Sequence, residues 1–274
     1  MQEGYWVTRT YVAGDVGEKT KFFVPGKRPT GKTRRAERRE IRKQEQNAYS
    51  AQKTLGRLLN ANFTQGGLLV GLDYSGEGYE KMLDWGRKHG LPVDSEEAAE
   101  QMDAVWEAAD HAMELCLRRV KRKLKAKGIE LKAVYITSDM DGSTGEAVRV
   151  HHHLVVNKEA GKAFVEAWQE YGMGGVDWEE LWKKSRQQDR TPIAEYFIRQ
   201  VRRIPDAKKY RSTRNLIRPQ PRDRATDSDS QLQAPRGGEV LYVQEYRKGQ
   251  PQYIRYITPA GVKRLREERE ALPA

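Results

Sequence analysis

The segment VRVHHHLVVN, residues 148–157, places three of the five histidines of the chain side by side within an apolar run. Successive side chains of a β-strand point to opposite faces. The even-numbered residues from 148 to 156, valines and a leucine around His152, then form a core face. The odd-numbered face presents Arg149, His151 and His153 in succession. The segment therefore predicts a strand with one apolar face and one face that offers two imidazoles.

The two imidazoles on the polar face suggest a divalent-metal site. His151 and His153 are two residues apart, so their rings point the same way and can converge on one ion. Neutral imidazole is a good ligand for Mn²⁺ or Zn²⁺ and is acceptable beside oxygen ligands for Mg²⁺. The alternative is that both are ordinary surface residues, and His152 is assigned to packing. A third ligand is expected; the candidate acids are Asp139, Asp141 and Glu195.

The remaining patterns predict an α+β protein in which helices pack on an antiparallel sheet. LKAVYITS (131–138) and EAVRVHHHLVVN (146–157), separated by the turn sequence DMDGSTG, predict an antiparallel strand pair. Residues 95–127 predict the clearest helix, with Ser95 as its N-cap and Gly128 after its end. Hairpins are predicted at both ends of the chain, in 4–24 and 239–257, and further helices in 158–172, 176–185 and 191–204, with a short terminal helix after 257.

The basic residues are concentrated in two segments. The net charge is +11, of which residues 1–60 and residues 199–222 carry +8 each, while the remainder carries −5. Such segments favour a phosphate-rich partner, with a merely solvated basic surface as the alternative. A single cysteine excludes a disulfide framework, and no signal peptide or membrane-spanning run is recognisable. We therefore expect a cytoplasmic protein.

Tyr196 lies in TPIAEYFIRQVRRI, residues 191–204, which predicts a helix with Pro192 at its first position. Arg199 and Arg203 follow Tyr196 at i+3 and i+7, on the same side of this helix. Neighbouring guanidinium groups and a metal-bound phosphate would favour the phenolate in phosphoryl transfer. The alternative is a half-buried tyrosine in an amphipathic helix.

Together these segments resemble the HUH endonuclease superfamily, specifically the rolling-circle replication initiators of phages and plasmids. The motif HHHLVV, from His151, matches the family's His–hydrophobic–His pattern, with histidine in the middle position. EYFIR, from Glu195, is similar to the nucleophile motif, with Arg199 where lysine is usual. LLVGLDY (68–74) stands where the first strand motif belongs, although Gly71 and Asp73 are atypical, and KKYRSTRNLIRP (208–219) is similar to a basic segment found after the tyrosine.

The resemblance implies an RRM/ferredoxin-like core in residues 61–218. A basic extension with a hairpin and a charged helix (1–60) precedes this core, and a linker (219–238) and a terminal hairpin and helix (239–274) follow it. It implies that Tyr196, assisted by Arg199, nicks single-stranded origin DNA with Mg²⁺ or Mn²⁺ held by His151 and His153. One tyrosine is implied, since no second one follows at one-turn spacing.

The implied partners are single-stranded origin DNA, the origin duplex, and a host helicase and DNA polymerase in a bacterial cytoplasm. A relaxase or transposase with the same chemistry, or a DNA-binding regulator without catalysis, remains an alternative. The residues expected to bind DNA are Arg34, Arg35, Arg38, Arg39, Arg149, Arg203, Lys208, Lys209, Arg211 and Arg214.

Overall fold

The computed structural model describes residues 4–26, 36–64, 66–142, 144–181, 189–201, 209–245 and 252–270; of residues 36–45 and 269 it describes the backbone alone. It confirms the α+β class, with two antiparallel sheets of five strands each and six α-helices among these residues. The chain divides into two compact units, which we call the terminal unit (1–64, 187–191 and 217–274) and the central unit (65–186 and 192–216).

The terminal unit joins both ends of the chain in one sheet of five strands, Gly4–Ala13 (β1), Val16–Pro25 (β2), Arg222–Thr226 (β8), Glu239–Gln244 (β9) and Gln252–Ile257 (β10). Their order in the sheet is β8-β1-β2-β10-β9. The predicted N-terminal hairpin pairs β1 with β2, and the predicted C-terminal hairpin pairs β9 with β10. Strand β2 then pairs with β10, from Val16 opposite Ile257 to Lys21 opposite Gln252. The helices of this unit, among the described residues, are Ala36–Asn62 (α1) and Pro259–Glu270 (α6).

The segment 219–238, for which the sequence predicts a linker, contains strand β8 at the edge of this sheet. Trp6 to Thr10 of β1 pair with Thr226 to Arg222, and Arg9 holds Asp223 through two hydrogen bonds of 2.8 and 2.7 Å. The polar composition of the segment predicted a loop, but an exposed edge strand can be polar because it buries little side-chain surface. The terminal unit therefore includes the whole segment expected to be a linker.

The central unit is built on a second sheet, with the strand order β6-β3-β5-β4-β7. Its strands are Leu68–Asp73 (β3), Ala133–Met140 (β4), Ala147–Val156 (β5), Val176–Glu180 (β6) and Arg211–Ser212 (β7), and its helices are Gly76–Lys88 (α2), Ala98–Lys125 (α3), Gly161–Glu170 (α4) and Thr191–Gln200 (α5), the last beginning at the boundary of the unit. The predicted pair is β4–β5, and β3 pairs with β5 on its other side.

Helices α2, α3 and α4 cover one face of this sheet. The apolar positions of α3, including Val105, Met113, Val120 and Leu124, are buried in one cluster with Val150, Leu154 and Val156 of β5. Val148, predicted on the same core face, is 42% exposed near the start of the strand. Gly128, with a φ of 71°, follows the end of α3 as predicted. The start differs, since the helix begins at Ala98, and the Ser95 hydroxyl accepts a hydrogen bond from the Glu97 N–H in the preceding turn.

Residues 176–180 correct a secondary-structure prediction. The segment VDWEELWKKS is predicted to be helical, but Val176–Glu180 is an edge strand whose residues pair with Leu72 to Leu68 of β3. The glutamates and tryptophan of this segment are compatible with a helix, which is why the sequence pattern favours one. The edge of β3 offers backbone hydrogen bonds to a neighbouring strand, and these outweigh the local preference for a helix. Among the described residues, no helix is sufficiently long and apolar to cross a membrane.

His152, predicted to pack in the core, is fully buried and belongs to a directed chain of hydrogen bonds. Its Nε2 lies 2.9 Å from the Tyr74 hydroxyl, and its Nδ1 lies 3.0 Å from Thr137 Oγ1. The Thr137 hydroxyl donates to Asp110 Oδ1 at 2.9 Å, so its oxygen accepts from the Nδ1–H of His152. Nε2 is then left to accept from Tyr74, and Asp110 pairs with Arg211 at 2.5 Å. The neutral imidazole therefore uses both nitrogens in the core.

Burial, reinforced by the charges of the neighbouring histidines, lowers the pKa of His152 to about 3. In the unfolded chain the same group titrates near its ordinary pKa of ~6.5. The unfolded state therefore binds one more proton between these two values, and stability falls as the pH decreases through this window, by up to ~1.4 kcal/mol per pH unit.

We expect this acid destabilisation to disappear when His152 is replaced by glutamine, which cannot titrate. Urea unfolding at several pH values between 7 and 4, with a chelator present, should show His152→Gln less stable than the wild type at pH 7. The difference should shrink as the pH falls below ~6.5. A difference that stays constant with pH would show that His152 is not held neutral.

Candidate active site

Strand β5 and helix α5 bring the predicted histidines and tyrosine together. The hydroxyl of Tyr196 lies 3.1 Å from Nε2 of His153, and that nitrogen lies 3.1 Å from Nε2 of His151. The His153 ring also stacks on Phe197, with 6.2 Å between ring centroids. Three groups that can hold a proton or a lone pair therefore meet at one point on the odd-numbered face of β5.

Helix α5 covers part of this face through its own apolar residues. Ala194, Phe197, Ile198 and Val201 are buried, as are the strand residues of the same face, Val134, Ile136 and Val155. Because these apolar residues pack against the sheet, the rotation of α5 about its own axis is fixed and Tyr196 points toward His153. The site lies where this apolar contact ends and the polar half of β5 begins.

The hydrogen bond of His151 orients its ring for ligand binding. Nδ1 of His151 lies 3.1 Å from the carbonyl oxygen of Arg149. A carbonyl only accepts, so Nδ1 carries the proton, and Nε2 of the neutral ring presents its lone pair toward His153. A backbone carbonyl that holds the second nitrogen is the usual support of a metal-binding histidine.

The spacing of the two Nε2 atoms fits a divalent ion. Two ligands at ~2.1 Å from one ion lie ~3.0 Å apart at a right angle and ~3.4 Å apart at a tetrahedral angle. The observed separation of 3.1 Å falls in this range. The pair of imidazoles is therefore compatible with octahedral Mg²⁺ or Mn²⁺ geometry without movement of the strand.

The acids predicted as a third ligand are not brought to the imidazoles. Asp139 is buried, Asp141 closes the β4–β5 turn by accepting from Thr144 N at 2.8 Å, and Glu195 is exposed on α5. Within the part of the chain that the structure describes, no group of three or more His, Cys, Asp or Glu residues could hold a metal. The sheet instead places Asp73 opposite His151 in register, and both side chains belong to the same face.

A cavity of about 560 Å³ adjoins Tyr196 and His153. Gly71 pairs with His153 on β5 and with Asp177 on β6, so it leaves a gap in the face between these two side chains. The wall of the cavity includes the carboxylates of Asp73, Asp177 and Glu179, besides Leu69 and Ile193. Sequence patterns did not identify these acids, because their position depends on the pairing of β3 with two distant strands.

Gln200 and Gly142 hold the tyrosine from its other side. Gln200 is buried, and in the amide orientation that best satisfies its neighbours, Nε2 donates to Ser138 Oγ at 2.9 Å and to Met140 O at 2.7 Å. Its oxygen then accepts from Gly142 N at 3.2 Å and from the Tyr196 hydroxyl at 3.3 Å. The position of the phenol is thus set by His153 and Gln200 together.

The predicted basic residues are distributed differently. Arg199 is exposed one helical turn after Tyr196, and Arg214 is exposed after β7. Arg149 stacks over the ring of Tyr79 at 4.8 Å, and Lys209 Nζ lies 3.5 Å from the carbonyl oxygen of Val201. Arg211 pairs with Asp110 and is part of the fold. Arg34, Arg35, Arg203 and Lys208 lie outside the described residues, as do the side chains of Arg38 and Arg39 in α1.

No family model matches this chain, and neither a curated protein nor a solved structure matches it. The case for a function therefore depends on the geometry of the site and on the motifs in the sequence.

The contact between Gly142 and Tyr196 generates a prediction on stability. A Cβ at Gly142 would lie 2.6 Å from Tyr196 Cε2 and 2.8 Å from its hydroxyl, and would also overlap the Gln200 amide. We expect Gly142→Ala to destabilise the protein by ~1–3 kcal/mol, because the phenol and the amide must both move. Urea unfolding monitored by circular dichroism measures this change.

Gly71→Ala is the matched control in the same cleft. A Cβ at Gly71 would meet a single atom within 4 Å, the carbonyl oxygen of Asp177 at 4.0 Å. Alanine in a strand should therefore be neutral or stabilising by ~0.5–1 kcal/mol. If both variants unfold at the same urea concentration, the turn at Gly142 yields freely and does not restrain Tyr196.

Proposed function

We propose that the central unit nicks and joins single-stranded DNA through a covalent bond to Tyr196, as an initiator of rolling-circle replication. The observation that carries this proposal is the row of three groups, Tyr196 hydroxyl, His153 Nε2 and His151 Nε2, each 3.1 Å from the next. The sequence resemblance to HUH endonucleases supports the same assignment, because its histidine and tyrosine motifs contain these residues although Tyr196 is 43 residues from His153 in the chain.

The reaction exchanges one phosphodiester for another. The phenol oxygen of Tyr196 forms a bond to phosphorus while the bond from phosphorus to the 3′-oxygen breaks. The 5′-phosphate remains on the tyrosine, and the leaving 3′-oxygen takes up one proton for the one that the phenol loses. Because a phosphoester bond is kept, the reverse reaction can join the ends without another energy source.

His151 and His153 would hold the divalent ion, Mg²⁺ or Mn²⁺, which supplies positive charge to the scissile phosphate when bound. The carbonyl of Arg149 keeps the His151 ring in the tautomer that this requires. His153 also contacts Tyr196, so it orients the nucleophile beside the bound phosphate. Arg199, one turn further on α5, would bind a phosphate of the substrate from outside the cleft.

The dimensions of the site favour a single strand. The cavity of about 560 Å³ beside Tyr196 is within the size range of small-ligand sites, ~300–1,000 Å³. Attack requires the phosphorus to approach the phenol oxygen to ~3–3.5 Å. An unpaired nucleotide can enter such a cavity, whereas a duplex is too wide. The freed 3′-hydroxyl would prime a host DNA polymerase, with a host helicase opening the duplex, in the cytoplasm of a bacterium.

Covalent capture of single-stranded DNA tests the proposal. The protein is incubated with Mn²⁺ and a pool of oligonucleotides with random cores, labelled either at the 3′ or at the 5′ end. We expect a band on a denaturing gel that carries the 3′ label and not the 5′ label, because the tyrosine retains the 5′-phosphate of the downstream fragment. Sequencing the captured DNA would give the preferred nick site.

Tyr196→Phe should give no adduct, since it removes the nucleophile, and Tyr5→Phe, which alters an exposed tyrosine of the terminal unit, should leave it unchanged. Adduct formation should fall by roughly 10²–10³ in His153→Ala, the scale of losing one preorganised catalytic group. DNA binding without any adduct in the wild type would instead support the regulator without catalysis.

Metal binding is expected independently of catalysis. Titration of Mn²⁺ followed by electron paramagnetic resonance should detect one site, and His151→Ala or His153→Ala should weaken it by at least ~10-fold, the lower scale on which outer ligands act. His89→Ala removes a histidine that stacks on Trp85 in α2 and should retain the site. If the wild type and the three variants bind Mn²⁺ with equal affinity, the ion is not held by His151 and His153.

A further inference from the structure

Helix α3 carries a stripe of four exposed cations on its C-terminal half. Arg118, Lys121, Arg122 and Lys125 follow at spacings of three and four residues, so they share one side of the helix. They line a cavity of about 450 Å³ together with Leu115 and Tyr171. We call these four residues the α3 stripe.

The other cations of the same helix are neutralised by helix α4. Lys123 pairs with Glu166 at 3.1 Å and with Glu170 at 2.6 Å, and Arg119 lies 3.8 Å from Glu170. Among the described residues, the α3 stripe has no such ion pair with a carboxylate. Like charges at i and i+4 destabilise a helix. The four cations of the stripe, unpaired among the described residues, lie beside Arg119 and Lys123, which are both paired with carboxylates. This contrast indicates an anionic partner outside the chain.

The α3 stripe is separate from the candidate active site. Helix α3 packs on the sheet face that buries His152, whereas Tyr196, His151 and His153 meet on the opposite face. The sheet lies between them, so one nucleotide in the cleft cannot contact both. A partner on the stripe is either another part of the DNA or a different molecule.

The aromatic contacts of the stripe favour a duplex over a single strand. Proteins that hold single strands combine cations with free aromatic faces on which bases stack. One face of the Tyr171 ring is occupied by the guanidinium of Arg119, 3.1 Å from the ring centroid, and none of the four residues of the stripe is aromatic. The stripe therefore offers phosphate contacts alone, along ~10 Å of helix at 1.5 Å per residue. Contacts of this kind recognise the regular backbone of duplex DNA.

We infer that the α3 stripe binds the phosphate backbone of double-stranded DNA, on the face of the central unit opposite the nicking site. The inference goes beyond the proposed nicking activity and does not require it. It adds four residues to the DNA-binding surface that lie outside the two basic segments of the sequence. An acidic protein segment is the competing partner, and the experiment below separates the two.

Salt-dependent binding to a duplex tests the inference. The variant Arg118→Gln, Lys121→Gln, Arg122→Gln, Lys125→Gln is compared with the wild type by fluorescence anisotropy on a duplex of about 25 base pairs. Each phosphate contact contributes ~0.9 to the slope of log affinity against log salt. We expect the slope to become less steep by up to ~3.6 and the affinity at low salt to fall at least ~10-fold.

The control removes the same charge elsewhere on the helical layer. Lys81→Gln, Lys88→Gln, Lys158→Gln, Lys162→Gln changes four exposed lysines that do not belong to the stripe. An equal loss in both variants, an unchanged duplex slope in the stripe variant, or a larger loss on single strands would each overturn the inference. Displacement of the wild type from the duplex by poly-glutamate at equal charge concentration would also overturn it, in favour of an acidic protein partner.

Two further measurements distinguish loss of duplex binding from misfolding and from loss of nicking. If the quadruple variant does not fold, the double variant Lys121→Gln, Lys125→Gln replaces it. The double variant should show half of the slope change expected for the quadruple variant. Capture of single-stranded oligonucleotides at Tyr196 should be unchanged in the stripe variant. If the wild type forms no adduct but binds the duplex as expected, the proposed nicking function is refuted and the inference about the α3 stripe still holds.

Discussion

The register of strand β5 between β3 and β4 is the constraint on which the central unit depends. His152 lies opposite Leu72 on one side and Thr137 on the other, and its ring reaches Tyr74 and Thr137 in the core. A slip of one residue would exchange the two faces of the strand. It would bury Arg149 and two imidazoles without partners, at a cost of several kcal/mol. The same register that protects the core therefore also presents His151 and His153 on the opposite face.

The site occupies the margin of a second, smaller apolar contact. Val155 and the apolar residues Phe197 and Ile198 of α5 are buried, whereas His151 and Arg149 further back along β5 are progressively exposed. His153 stands between them, against Phe197 on one side and the cavity at Gly71 on the other. A group in this position is held by packing and yet open to a ligand. That combination suits the metal-assisted phosphoryl transfer that we propose.

Local pattern was sufficient where one segment decides its own structure. The apolar repeat of α3, the β4–β5 hairpin and the two terminal hairpins follow from periodicity and turn residues. The sequence pattern failed at 176–180, where pairing with the edge of β3 imposes a strand. It also did not identify helix α2, which begins after the N-cap Ser75, whose hydroxyl accepts from Gly78 N at 3.0 Å. Sequence patterns also gave no indication that Asp73 lies opposite His151, because that register depends on the pairing of β3 with β5.

The sequence by itself determined that His151 and His153 share a face, because the alternation of a strand is a property of the backbone and needs no partner. It also determined that Tyr196 lies on an amphipathic helix with a buried stripe. Only the tertiary structure decided that the phenol meets His153 and that Gly71, Asp73 and Asp177 line the adjoining cavity. These contacts join β3, β5, β6 and α5, and distances between segments are set by strand pairing and helix packing, which no single segment encodes.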